Sequence, residues 1–465
     1  SRGSSQDGYR TGMLRLYDTA LGEITEIVPR QPGRFSMYVC GPTVYEVPHI
    51  GHGRAALVYD VLRRYLEWRG FDVLHVSNVT DIDDNIIRRA EEEGRPADEV
   101  ARHYEQIWWD ALDRLGVLQP TVVPHATEYV EDMVQLIEEL VARGMAYESS
   151  DGVYLSVEKV DGYGQLTHQP LESLRAGARV EVDEAKRSPV DFALWKKAKP
   201  GEPSWPSPWG PGRPGWHTEC VVMSLDLLGE DFDLHSGGLD LVFPHHENER
   251  AQAVALGRKF ARHWMHHGFV EVAGEKMSKS LGNFTTLVDM LDRTDARAYR
   301  LLVLRSHYRT PIEVTPDTIA DAQAGLERLD ALARRFELGG PSSVSAERDQ
   351  DAIARFTGAM DNDLDTPTAV AVIFELLRRA NTAADAGDSE RARRLAATVA
   401  ELAGALGLEL GKVGDEVDDE SAALVERRDA ARRARDFATA DALRDELTAR
   451  GWVVEDGPEG TSIRR

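Results

Sequence analysis

The stretch Phe35–His52 constrains the fold most: a short apolar strand, Phe35–Cys40, passes through a Gly-Pro turn into PHIGH at Pro48–His52, which opens a helix. Phe35, Met37 and Val39 alternate as one face of a strand does. Arg54–Gly70 reads as the helix, with Leu57, Val61, Tyr65 and Leu66 on one face and Gly70 as its stop. Phe71–Val76 returns as a second strand. Strand, helix, strand is the unit of a parallel sheet, so the chain is predicted to be α/β.

The residue types around that turn suit a phosphate. His49 and His52, three apart at a helix start, can both donate to phosphate oxygens while the helix dipole adds its own attraction. Gly51 and Gly53 let the backbone come close. Far downstream, KMSKS at Lys276–Ser280 is followed by Leu-Gly-Asn-Phe. Lys276 and Lys279 on a Gly- and Ser-flanked loop can close over the pyrophosphate end of ATP. A carboxylate attacking the α-phosphate builds negative charge on oxygens, and positioning plus electrostatic stabilisation is what such a site provides. Singly, the histidines read equally well as helix caps and the lysines as a solvated loop. As a set in this order they point to an adenylating site.

A second constellation is metal-like. His245 and Glu249, in Phe243–Glu249 (FPHHENE), stand four apart on one helical face. With Cys40 and Cys220, the only cysteines, they make a Cys₂HisGlu set of the kind that holds tetrahedral zinc. His246 and Glu247 compete on spacing, and a surface helix with an internal ion pair is the plainer alternative. Two cysteines in so long a chain are no disulfide framework.

With 465 residues, 42% hydrophobic and 29% charged, the chain has enough apolar residues for more than one core. Helices are predicted at Ala97–Leu118 and Glu128–Arg143. Between about 145 and 205 the pattern changes to short strand-like pieces such as Gly152–Val157 and a Pro/Gly/Trp-rich run, Lys199–Gly215, which reads as an insertion splitting the sheet domain. Sheet-like sequence resumes at Phe232–His235 and His263–Val272. Helices follow at Pro316–Leu338, Ala352–Asp361, Thr368–Ala384 and Ser389–Leu408, with linkers at Gly339–Arg348 and Gly411–Glu420. Residues 1–12 read as a tag remnant or flexible leader. The expected division is 13–135 and 206–270 for the two catalytic halves and 136–205 for the insertion. The KMSKS and stem-contact region takes 271–315, a helical bundle 316–410 and a small terminal domain 411–465.

No run is apolar enough to span a membrane and no signal peptide is seen, so a cytoplasmic protein is expected. The net charge of −24 argues against a generally basic nucleic-acid binder. Locally the balance differs: residues 421–465 carry nine arginines against nine acids. A neutral tail in an acidic chain is a candidate RNA surface, or simply a helix face laced with ion pairs.

Over essentially everything after Met13 the sequence resembles the cysteinyl-tRNA synthetases, a class I aminoacyl-tRNA synthetase family. The matching stretches are Tyr38–Tyr45 (YVCGPTVY) with PHIGH, Asn78–Asp84 (NVTDIDD), Asp191–Lys196 (DFALWK), Pro214–Cys220 (PGWHTEC), Phe243–Glu249 and Lys276–Phe284 (KMSKSLGNF). Asp295–Arg309, Asp361–Pro367 and Arg428–Thr461 resemble that family's bundle and anticodon-binding tail. The resemblance implies a Rossmann-type parallel-sheet catalytic domain split by an insertion, then an α-helical bundle and an anticodon-binding domain. It implies a cysteine–tRNA ligase activity, with ATP, Mg²⁺, L-cysteine and tRNA(Cys) as partners, in a monomer. Zinc would be held by Cys40, Cys220, His245 and Glu249, and the substrate thiolate would bind it, which selects cysteine over serine.

By the same comparison ATP would meet Pro48, His49, Gly51, His52, Lys276, Met277, Ser278, Lys279 and Ser280. Gly41, Thr80 and Trp216 would line the amino-acid pocket, with His217, His235 and Asp240 near its polar groups. Trp452 and Arg427–Arg435 are candidate stacking and phosphate groups for tRNA. Three places depart from the family's usual pattern: Asn85 stands for lysine, Gly53 for alanine, and Val221–Met223 for small residues. Two other readings share these motifs: the cysteine ligase of mycothiol synthesis, which joins cysteine to a glucosaminyl-inositol amine and lacks the tail, and a non-catalytic tRNA-binding paralogue.

Overall fold

The computed structural model describes residues 13–177, 186–271, 286–338, 346–411, 419–434, 436–450, 452–457 and 460–464. An antiparallel pair, β1 (Arg15–Asp18) and β2 (Glu23–Glu26), leads into β3 (Arg34–Val39). Helix α1 (Ile50–Trp68) carries the chain to β4 (Asp72–Ser77), which pairs with β3 in parallel. The helices α2 (Asp84–Glu93), α3 (Ala97–Arg114) and α4 (Val130–Ala142) follow. α1 starts four residues before the predicted Arg54, because His49 and His52 form its cap. Gly70 does stop it, at φ 90°.

The chain then builds a separate antiparallel sheet. Its strands are β5 (Ala146–Glu148), β6 (Gly152–Leu155), β7 (Phe192–Lys197) and β8 (Gly212–Pro214), in that spatial order, with the short helix α5 (Leu171–Gly177) between β6 and β7. Only β6 is predicted from sequence. Two cations anchor this sheet to the start of α2: Lys196 lies 2.7 Å from Asp84, and Arg213 pairs with both Asp84 and Glu202.

Helix α6 (Trp216–Leu228) returns the chain to the parallel sheet, through β9 (Leu234–Gly238), α7 (Glu247–Ala255) and β10 (His263–His267). The unusual Val221, Val222 and Met223 lie buried in the apolar cluster that α6 shares with Leu194 and Trp195 of β7. The parallel sheet has the order β10-β9-β3-β4. From β3 the chain moves outward to β4, and from β9 it moves the opposite way to β10. That reversal makes a switch point between β3 and β9, where ligands bind beyond the carboxyl ends of the strands. All five residues Phe35–Val39 and all five of β9 are buried. Phe35, Met37 and Val39 are buried as one face of the strand, and Ser36 and Tyr38 are buried as the other: both faces of this sheet are covered, as in parallel sheets generally.

Beyond it come β11 (Val270–Glu271), α8 (Leu287–Arg293), α9 (Ala296–Leu304) and β12 (Ile312–Glu313), with β11 and β12 paired in parallel. The chain divides into two compact units: residues up to Gln323 with Gln350–Val372 and Ala405–Gly407, and the remainder. Helices predicted in the last third are observed at Pro316–Arg335, Gln350–Asp361, Thr366–Asp385 and Ser389–Ala405.

In the second unit, helices Asp419–Arg433 and Phe437–Ala449 pack with a hairpin of Val453–Gly457 and Gly460–Arg464 around Leu424, Leu443, Leu447, Trp452 and Val454. Two tRNA-contact expectations are corrected here. Trp452 is buried in that core, its indole donating to Ser421 Oγ at 2.9 Å, so no base can stack on it. Arg428 is buried on Thr461. Arg427 and Arg433 remain exposed, and Arg435 lies outside the described residues. Among the described residues no helix is long and apolar enough to cross a membrane.

Candidate active site

Each parallel strand delivers a motif at its carboxyl end: Cys40 and Gly41 after β3, Asn78–Thr80 after β4, Asp240 after β9 and Gly268 after β10. A cavity of about 670 Å³ opens over this edge, lined among others by Cys40, Gly41, Pro48, His49, Gly51, His52, Trp216 and Asp240. Gly41 is required by space alone: a Cβ there would lie 1.6 Å from the Asn78 carbonyl oxygen.

The PHIGH turn is a reciprocal cap. The His52 backbone N–H donates to His49 Nδ1 at 3.3 Å, and the His49 N–H donates to His52 Nδ1 at 3.2 Å. The rings stack with centroids 3.6 Å apart. With Nδ1 accepting, the ring proton of each neutral imidazole sits on Nε2. Burial, then the neighbouring His49, holds His52 down at about 3, and burial lowers His49. Capping and phosphate donation are therefore compatible: Nδ1 does the first, and Nε2–H remains for the second. Gly53 does not open the helix to a phosphate as expected, since it is buried against Leu287 and Tyr299.

Behind Cys40 lies a buried donor cluster. Cys40 Sγ is 3.7 Å from Cys220 Sγ and 3.6 Å from Glu249 Oε1, and Glu249 Oε1 is 2.9 Å from His245 Nε2. Tetrahedral zinc with ligands at about 2.0–2.3 Å spaces them roughly 3.3–3.8 Å apart, so these residues fit the ion. His245 sits just before α7, in a segment where Phe243 is non-helical, yet its imidazole still reaches Glu249. Burial opposes a proton on His245, but Glu249 and Cys220 outweigh it and raise the imidazole to about 10. Burial likewise opposes charge on Glu249, but His235 and His245 hold its carboxyl well below the usual range.

A second set, Cys40, His235, His246 and Glu249, also brings its donor atoms within 4.8 Å of one another. His246, the competitor named from spacing, is 3.2 Å from Cys40 Sγ through Nε2 and 2.7 Å from His266 through Nδ1. His235 Nε2 is 2.6 Å from Glu249 Oε2, and His217 Nδ1 is 3.0 Å from His245 Nδ1. Around the Cys₂HisGlu set, His235 meets the second oxygen of Glu249 and His217 the second ring nitrogen of His245, the arrangement that orients metal ligands, whereas His246 approaches the Cys40 sulfur itself.

The expected amino-acid pocket residues separate into two groups. Gly41, Trp216 and Asp240 line the cavity, and the Trp216 ring stacks on His245 at 3.9 Å. His217, His235 and Thr80 sit deeper, and His235 is fully buried. The Thr80 hydroxyl and Glu219 Oε2 are 2.8 Å apart, and Thr80 Oγ1 accepts from Asn78 Nδ2 at 3.2 Å. Asn78 Oδ1 in turn accepts the Gly41 N–H at 2.9 Å. Sequence reasoning passed over Asn78, Glu219 and His266 as participants. The first two lie inside the NVTDIDD and PGWHTEC stretches, but nothing in the sequence marks them as buried. Lys276, Met277, Ser278, Lys279 and Ser280 lie outside the described residues.

A doubly covered parallel sheet with a HIGH turn and a cavity at its carboxyl edge is the architecture of the class I aminoacyl-tRNA synthetases, and residues 26–324 match the class I (C) tRNA synthetase catalytic domain. Residues 355–411 match the DALR domain and 414–464 the cysteinyl-tRNA ligase anticodon-binding domain. The chain belongs to the cysteine–tRNA ligase family. It is 49% identical over 465 residues to the cysteine–tRNA ligase of Alkalilimnicola ehrlichii, covering 97% of this chain and 100% of that one. The Thermotoga maritima cysteine–tRNA ligase is 46% identical over 455 residues, 96% of this chain and 99% of that one. Among solved structures, a Mycobacterium tuberculosis methionyl-tRNA synthetase bound by methionyl-adenylate superposes with a TM-score of 0.63 at 16% identity, over 82% of this chain and 92% of that one. At that identity the likeness concerns the fold alone.

Proposed function

We propose that this chain is a cysteine–tRNA ligase that first joins L-cysteine to AMP and then passes the cysteinyl group to the 3′ end of tRNA(Cys). The observation that carries the reading is the buried Cys₂HisGlu cluster opening, through Cys40, onto the cavity that the PHIGH turn lines. In the first step a cysteine carboxylate oxygen bonds to the α-phosphorus of ATP, and the bond to the β-phosphate oxygen breaks, releasing pyrophosphate. The Nε2–H groups of His49 and His52, with the start of α1 behind them, donate to the phosphate oxygens on which charge accumulates. Pro48 and Gly51 shape that turn, and Lys276, Met277, Ser278, Lys279 and Ser280 complete the ATP contacts, with Mg²⁺ accompanying the nucleotide.

Cys40, Cys220, His245 and Glu249 would hold zinc, which when bound supplies a Lewis-acidic position that takes a thiolate far better than a hydroxyl. Gly41, Trp216 and Asp240 face the substrate's amino-acid moiety, Asp240 offering its carboxylate to the α-ammonium. Thr80, His217 and His235 brace the wall behind them. In the second step the terminal ribose hydroxyl forms the ester with the activated carbonyl, and AMP leaves. The match to a cysteinyl-tRNA ligase anticodon-binding domain supports tRNA as acceptor over a glucosaminyl-inositol amine.

The same reading takes 13–135 and 206–270 as catalytic halves, 136–205 as their insertion, 271–315 as the KMSKS and stem-contact region, 316–410 as the bundle and 411–465 as the anticodon reader, in a cytoplasmic monomer. Cysteine-dependent ATP–pyrophosphate exchange tests the first step. Exchange with cysteine and background with serine is expected; equal exchange with serine, or none with cysteine, would refute it.

A further inference from the structure

We propose that Gly53 and Arg54, which follow the PHIGH turn on α1 and touch no nucleotide themselves, are positioning residues that mount the Gly268–Val270 wall of the cavity and the Thr286–Leu287 turn on the helix carrying His49 and His52. The proposal rests on the adenylation reading above.

Arg54 is 1% exposed. Its guanidinium donates to the carbonyl oxygens of Gly268 at 2.8 Å, Phe269 at 2.5 Å, Tyr308 at 3.1 Å, His307 at 3.4 Å, and Thr310. Among the described residues no carboxylate pairs with it, so one buried cation gathers backbone carbonyls from two separate segments. Burial lowers its pKa, but only to about 10, so it stays charged. All these bonds come from the two terminal nitrogens, and the buried Nε makes none; a rigid planar fork suits that task, and an ammonium with three rotating donors does not. The chain it holds, Gly268–Val270, lines the same cavity as His49 and His52.

On another side of the helix the fit is set by a missing side chain. A Cβ on Gly53 would lie 2.8 Å from Leu287 Cδ1 and 3.1 Å from Tyr299 Cε1. Both partners are also tied to the first turn: Leu287 N–H donates to Pro48 O at 2.9 Å, and Tyr299 O–H donates to Ile50 O at 2.8 Å. The turn that presents the two imidazoles therefore cannot shift independently of the wall beside it. Phosphate alignment is sensitive to displacements of about 1 Å, which is where these residues act.

The test is steady-state ATP–pyrophosphate exchange, varying ATP and cysteine separately, on R54K, G53A and the double variant G53A/L287V, with melting temperatures recorded. R54K is expected to raise KM for ATP about tenfold or more while KM for cysteine stays within about twofold. G53A is expected to raise KM for ATP, and G53A/L287V to restore it, because one methylene leaves as one methyl enters. A lowered melting temperature with both KM values unchanged, equal changes in both KM values, or no rescue by L287V would overturn the proposal. A wild-type chain without cysteine-dependent exchange would instead refute the adenylation reading.

Discussion

Glu249 divides its two oxygens between two histidines, Oε1 facing His245 and Oε2 facing His235, with Cys40 Sγ also near Oε1. The side of the carboxylate that meets the ion decides which histidine is a ligand and which a brace. With the Cys₂HisGlu set, C220S and H245A lower bound zinc from about one per chain to near none, while H246A retains it. Metal analysis of the purified variants reads this directly, and the reverse pattern would assign the ion to the His235–His246 set. Cys40 and Cys220, the only two cysteines, are conspicuous in the sequence, but spacing could not separate His245 from His246. That choice depends on the local backbone, which turns His245 Nε2 toward Glu249 and His246 Nε2 toward Cys40. The Asn78–Thr80–Glu219 network was invisible for a related reason, since it joins a loop to a helix more than a hundred residues away.

At the scale of elements, Asp84 at the start of α2 binds the inserted sheet through Lys196 and Arg213. Burial alone would raise its carboxyl, but these two hydrogen-bonded cations outweigh it and hold the pKa at about 2 against an ordinary 3.8. The folded-state value lies below the unfolded one, so the stabilisation is complete above about pH 4 and disappears as pH falls toward 2. D84N should therefore cost at most about 1 kcal/mol near neutrality, because half of the carboxylate is solvent-screened and Arg213 keeps Glu202. Denaturant unfolding would show a gap to wild type that is constant from pH 7 to about 5 and narrows below about 4; a gap that widens in acid would rule out a stabilising role for the Asp84 ion pairs. β3, α1 and β4 were legible because local pattern and turn chemistry agree there. β5, β7 and β8 were not, because short antiparallel strands rich in Trp, Lys and Pro carry little periodicity and are defined by their partners.

At the scale of the whole molecule, a chain of net charge −24 has to meet a polyanion through a local surface. The neutral tail coincides with the match to a cysteinyl-tRNA ligase anticodon-binding domain, but its candidate contact residues do not all survive: Trp452 and Arg428 look available in sequence and are core. The exposed Arg427 and Arg433 keep the phosphate role open to the helix Asp419–Arg433. Deleting residues after 411 should spare cysteine-dependent pyrophosphate exchange and lower charging of tRNA; equal loss of both would make the tail structural only. The most direct measurement of the proposed activity is transfer of labelled cysteine to a cysteine-accepting tRNA transcript by the purified full chain with ATP and Mg²⁺. Charging is expected, and it falls when the anticodon is altered. Exchange with cysteine but no transfer to tRNA would contradict the proposed activity and assign the activated cysteine to another acceptor.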